Sequence, residues 1–144
     1  MIKDFVNRWN KNKEKLENYF RITKQEEYDK YEKIVKKIIE LVINGDNDDL
    51  GVNYDYKNMT VLDYGNYQGT QIFVIPQDTY QPDVDDIIYT SNYYGSCSGC
   101  DTLLGISSYD SDLPNEQQIK DYMTLSLHLI QRLNYFVVGD EDDE

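Results

Sequence analysis

Cysteine is scarce in this chain: two residues in 144, Cys97 and Cys100, both inside one C-x-x-C. The N-terminal stretch "MIKDFVNRWNKNKEKLENYF" has no apolar h-region and no cleavage site, so no secretion signal is expected. Few cysteines and no signal together predict a reducing, cytoplasmic home. Long apolar runs are missing as well. The longest, "IIELVI" and "IFVI", are too short to cross a bilayer, so no membrane association is expected. Histidine occurs once, at His128, so any Ser-His-Asp or Cys-His chemistry would have to use that one residue. "GNYQG" lacks the Lys-Ser/Thr ending of a phosphate loop. Counting an EF-hand from Asp46 puts Gly51 at the sixth position but Lys57 at the twelfth, where a closing carboxylate is required. Internal repeats are absent. No catalytic signature emerges, and the chain is expected not to be an enzyme.

Basic residues nearly vanish after position 44. Residues 1–44 hold eleven Lys or Arg against eight Asp or Glu, a net of +3; residues 45–144 hold three against nineteen, a net of −16. The total is −13. This asymmetry predicts a basic helical arm on an acidic body. Such a body is repelled by DNA and RNA phosphates and steered toward a basic protein surface. Acidity also simply keeps a small protein soluble.

What is abundant is tyrosine, fourteen residues, each with a packable ring and a polar tip. The length suits one domain able to bury a core. Residues 2–43 read as helix. Ile2, Phe5, Val6 and Trp9 share a face that Leu16, Tyr19 and Phe20 resume after a polar gap at 10–15. Thr23 and Glu26 form a capping box, which predicts a break and a second helix from Lys24, the alternative being one long helix with Thr23 inside it. Its face is Tyr31, Ile34, Val35, Ile38, Ile39 and Val42, and Asn44-Gly45 stops it, either residue tolerating a left-handed conformation. "MTVLDY" and "TQIFVIP" around "GNYQG" predict an antiparallel hairpin ending at Pro76. "QDTYQPDVDD" is a polar connection, "IIYTSNYY" a third strand and "TLLGISSY" a short fourth. A last helix from about Pro114 to Phe136, capped by Asp112 or Asn115, carries the stripe Ile119, Tyr122, Met123, Leu127, Ile130, Leu133 and Val137, with Leu125, Leu129 and Phe136 widening it. "GDEDDE" is an acidic tail with nothing to bury.

The expected fold class is α+β: an N-terminal helical pair, a small antiparallel sheet of three or four strands, and a long C-terminal helix packed on the sheet. One domain is expected over 1–138, divided into a basic arm at 1–44, a β region at 52–110 and a helix at 113–137, with a disordered tail at 139–144.

The C-x-x-C lies in the expected turn between the third and fourth strands. Ser96, Ser98, Asp101 and Thr102 suit a tight β-turn with no metal. The alternative is zinc held by Cys97, Cys100 and His128 with a carboxylate, half of a complete motif. A redox pair would want a helix start and a basic neighbour, and neither is expected. His128, set among leucines, reads as a packed residue.

Two segments, "DYGNYQGT" and "YYGSCSGCDTLLGI", combine Tyr, Gly and small polar residues. Tyr offers rigid contact area and Gly lets a partner approach the backbone. The candidate binding residues are Tyr64, Gly65, Tyr67, Gln68, Gly69, Tyr93, Tyr94 and Asp101, which would line one surface if the two turns are neighbours. The same two segments are similar to a pattern in small uncharacterised bacteriophage proteins, over roughly the middle third of the chain. That resemblance implies expression in the cytoplasm of an infected bacterium and a role in host takeover or anti-defence. The expected function is a non-enzymatic acidic interaction module that binds, and in doing so inhibits, a host protein with a basic surface, such as a nucleic-acid enzyme or a defence system. The alternatives are a small zinc protein and a small-molecule or nucleotide binder using the Tyr/Gly turns.

Overall fold

A computed structural model describes residues 2–25, 31–45, 53–65, 69–79, 86–95, 102–106 and 113–135. The described elements are a helical layer and a four-stranded antiparallel sheet, an α+β fold as expected.

Helix α1 spans Ile2–Ile22. Phe5, Trp9, Leu16 and Phe20 are buried along it. The chain leaves helical geometry at Thr23, as expected, but the second helix does not begin at Lys24: Lys24 and Gln25 are not helical, and Glu26 of the anticipated capping box lies outside the described residues. Helix α2, Tyr31–Ile38, continues as a wider π turn through Ile39–Ile43, where the Asn44 N–H donates five residues back to the Ile39 carbonyl at 2.8 Å. Its predicted apolar face is buried throughout: Tyr31, Ile34, Val35, Ile38, Ile39 and Val42. Glu32 and Lys36 pair on its outer side at 3.2 Å.

The stop at Asn44-Gly45 has a different cause from the one expected. Asn44 stays right-handed, with φ −90° and ψ −5°. Its side chain instead exchanges two 2.8 Å hydrogen bonds with the backbone of Tyr54. Gly45 is required by close approach, since a Cβ there would lie 2.1 Å from the Leu41 carbonyl oxygen.

The expected polar gap in α1 is exposed at five of its six positions, and Asn12 is the exception. Asn12 is 3% exposed and donates to the Val42 carbonyl at 2.9 Å. One turn to either side, Arg8 donates to the Ile43 carbonyl at 2.9 Å and Lys15 to the Gly45 carbonyl at 2.7 Å. A helix end leaves its last carbonyls without intrahelical partners and carries partial negative charge. Three side chains of α1, spaced so as to share one face, occupy those carbonyls.

Strands β1 (Thr60–Gly65), β2 (Gly69–Pro76) and β3 (Ile87–Tyr94) form in the order and nearly the bounds predicted. β1 pairs with β2 and β2 with β3, both antiparallel. The fourth strand is not "TLLGISSY". Thr102–Ile106 is instead a short helix, α3, pinned where the Leu103 N–H donates to the Tyr31 hydroxyl at 3.0 Å. The fourth strand, β4, is Asn134–Tyr135, paired with Ile88 and Tyr89 of β3.

Helix α4 therefore ends earlier than its apolar stripe suggests, spanning Glu116–Gln131. Asn115 caps it, with Gln118 reciprocating in a capping box, and Pro114 stands before the cap rather than in the first turn. At its other end no glycine or proline announces a stop. Arg132 turns the chain and its guanidinium reaches β3, donating to the Ser91 carbonyl at 3.1 Å and the Asn92 side-chain oxygen at 2.8 Å. Phe136 and Val137, expected in the helix, and the expected tail lie outside the described residues.

The core lies between one sheet face and the helices. Phe73, Ile75 and Ile88 are fully buried, and the Thr90 hydroxyl of β3 donates to the Leu129 carbonyl of α4 at 2.8 Å. Phe20 stacks on Tyr122 at 4.9 Å between ring centroids, joining α1 to α4. Among the described residues no helix is long and apolar enough to cross a membrane.

Candidate functional site: the open face of the sheet

Side chains alternate across a strand, so the pairing register fixes two faces. Val61, Phe73 and Thr90 lie abreast, as do Asp63, Gln71 and Asn92; these point toward the helices. The other set holds Thr60, Leu62 and Tyr64 of β1, Thr70, Ile72, Val74 and Pro76 of β2, and Ile87, Tyr89, Ser91 and Tyr93 of β3. None of these eleven is buried.

The candidate residues divide between the two faces. Tyr64 and Tyr93 stand on the open face on either side of Thr70, roughly 10 Å apart at two inter-strand spacings. They are 63% and 53% exposed, the most open aromatic residues described. Tyr94 points the opposite way. Its hydroxyl donates to Asp63 at 2.6 Å, and Gln71 donates to the other carboxylate oxygen at 3.1 Å. The hydrogen bond to Asp63, with smaller contributions from desolvation and charge, raises the Tyr94 pKa above 10.0. Gly69 stands between them, opposite both Gly65 and Tyr94. It must be glycine, because a Cβ would lie 2.3 Å from the Tyr64 carbonyl oxygen. The two Tyr/Gly segments thus do reach the same end of the sheet, where Gly65 and Gly69 flank the hairpin turn and β3 finishes. Tyr67, Gln68 and Asp101 lie outside the described residues.

Cys97 and Cys100 also lie outside them. The element after the cysteines is helix α3 rather than the expected strand. His128 is not packed as expected. It belongs to the exposed row Gln117, Lys120, Thr124, His128 and Gln131 on the outer side of α4. Among the described residues no group of three His, Cys, Asp or Glu side chains converges as metal ligands would.

The far end of the sheet has a different character. The Asp55 N–H donates to the Pro76 carbonyl at 2.8 Å, the Gln77 N–H to the Asp86 carbonyl at 2.7 Å, and the Asp78 N–H to the Asn53 carbonyl at 2.8 Å. These bonds gather Asp55, Asp78 and Asp86 at one end of β2 and β3. The open face itself carries no Asp, Glu, Lys or Arg. Sequence reasoning singled out Tyr64 and Tyr93 there but missed Leu62, Ile72, Val74 and Tyr89. The available signal was a lack of charge: residues 64–77 and 87–100 contain no charged side chain in a chain that is 28% charged.

No protein-family model, no curated protein and no solved structure matches this chain.

Proposed function

We propose that this chain is a non-enzymatic acidic interaction module that binds a protein with a basic surface. The observation that carries this reading is the pair Tyr64 and Tyr93, held side by side on an open, charge-free sheet face. Exposed tyrosines on a rigid sheet bind with little loss of side-chain entropy, since the backbone beneath them is already fixed. The charge distribution supports the same reading. Nine of the eleven basic residues of 1–44 lie on α1 and α2, and the −16 region includes the whole sheet together with α4. A region of that net charge favours a partner rich in Lys and Arg. The phage-like motif pair makes a cytoplasmic bacterial protein the partner to seek, with inhibition of that protein as the consequence of binding.

Affinity capture tests the reading. Immobilised wild-type protein should retain a basic bacterial protein at about 0.1 M salt and release it near 1 M, as the Debye length falls from ~10 to ~3 Å. The double variant Tyr64→Ser, Tyr93→Ser should retain much less. Equal retention by the variant, or a captured protein indifferent to salt, contradicts the reading.

A further inference from the structure

The strand order β1-β2-β3-β4 leaves two edges. β4 is two residues long, too short to template another strand. β1 is six residues long, and every second residue of an outermost strand directs its N–H and C=O away from the sheet. Those groups are satisfied by water or by another extended backbone. Proteins usually guard such an edge with proline, lysine, a bulge or a covering segment. β1 holds no proline, lysine or arginine, and its register with β2 runs unbroken from Thr60↔Val74 to Gly65↔Gly69. Thr60, Leu62, Asp63, Tyr64 and Gly65 are exposed and Val61 is half-buried, so among the described residues no helix shields this edge.

The chemistry of the occupant follows from the side chains of β1. An open row of backbone groups is complementary to one conformation, an extended strand. Asp63 is the single charge on β1 and stands midway along it. Its carboxylate accepts from the Tyr94 hydroxyl at 2.6 Å and from the Gln71 amide at 3.1 Å. Both donors are neutral, so they orient the carboxylate without cancelling its charge. An added strand with Lys or Arg beside Asp63 gains a cross-strand ion pair, and one with Glu or Asp there is repelled. On the other face Leu62 and Tyr64, both exposed, favour β-branched or aromatic neighbours. A second copy of this chain is the poorer occupant, because it brings its own Asp63 and a second −16 region.

We propose that the outer edge of β1 takes an extended, basic segment of a partner protein as a fifth strand, with backbone pairing along Thr60–Gly65, a Lys or Arg beside Asp63, and β-branched or aromatic residues beside Leu62 and Tyr64. This rests on the interaction-module reading and assigns the conformation and chemistry of the partner segment. At about 3.4 Å per residue, β1 pairs with roughly 20 Å of such a segment.

Three synthetic eight-residue peptides test it on the intact chain: one alternating Val and Lys, one alternating Val and Glu, and the Val/Lys peptide with every amide N-methylated. The Val/Lys peptide should bind and, at saturation, slow hydrogen exchange at least tenfold at alternate amides of β1, while those already bonded to β2 change little. The Val/Glu and the N-methylated peptides should each bind at least tenfold more weakly. Asp63→Asn should weaken Val/Lys binding two- to fivefold, and Thr60→Lys with Leu62→Lys, which arms the edge with charge, should weaken it at least tenfold, both with unchanged circular dichroism. Should either variant fail to fold, the N-methylated comparison on the wild type decides. If the N-methylated peptide binds as tightly as its parent, or the β1 amides exchange as before, the edge is overturned while the charge-based reading survives. If no peptide binds, the edge is overturned, and salt-sensitive capture of a basic protein by the immobilised chain decides the interaction reading separately. Sedimentation showing a dimer whose β1 amides are protected overturns the partner segment in favour of a second copy.

Discussion

Asn12 sits in "NKNKEK", a stretch with no apolar residue, yet it is nearly as buried as the core aliphatics. Its amide closes the contact between α1 and the end of the π turn. Asn12→Ala leaves the buried Val42 carbonyl without that donor, so a loss of about 1–3 kcal/mol is expected by urea denaturation. Lys15→Ala, removing an exposed contact of the same row, should cost under ~0.5 kcal/mol. Equal effects would contradict the burial difference. The position was not legible because polarity alone reads as solvent; only its spacing from Arg8 and Lys15 hints at a shared face. Tyr94 supports a pH prediction. Its raised pKa means that the neutral phenol is favoured in the folded state. The contribution is therefore fully present below about pH 10 and is lost as pH rises through the folded value. An NMR titration of the Tyr94 ring should give a midpoint above 10.0, and Asp63→Asn should lower it by removing the charged acceptor. A midpoint unmoved by Asp63→Asn would contradict that cause.

At the scale of elements, periodicity carried the reading well where it was long. The buried faces of α1, α2 and α4 follow three-and-four spacings, and β1 to β3 follow β-branched and aromatic clustering between turn residues. Errors gathered where local signals are weak. Thr102–Ile106 is a five-residue stretch with three aliphatic side chains, and such short stretches do not distinguish strand from helix; the tie from Leu103 to Tyr31 is a long-range contact with no local trace. The end of α4 was overrun because Leu133 continues the stripe and remains buried after the helix has stopped. Its terminator is Arg132, which acts through β3 rather than through its neighbours in sequence. Arg132→Ala should cost about 1 kcal/mol and speed amide exchange at Asn134 and Tyr135 in β4 more than in β1. Uniform exchange across the sheet would show that Arg132 does not hold that edge.

At the scale of the whole molecule, the helices and the open sheet face lie on opposite sides of the sheet, and charge is divided along the chain, +3 over residues 1–44 and −16 over residues 45–144. The division of charge was visible in composition. The face was not, because it exists only once register places Tyr64, Thr70 and Tyr93 abreast and turns Tyr94 away. Steering by the acidic region should act on the association rate, and aromatic anchoring on the dissociation rate. The most direct measurement is a salt series of both rates for the captured partner, with wild type and with Tyr64→Ala, Tyr93→Ala. The association rate should fall steeply with salt in both proteins, while the double variant dissociates at least tenfold faster at every salt concentration. Dissociation rates that are the same in the two proteins would contradict recognition through the open face of the sheet.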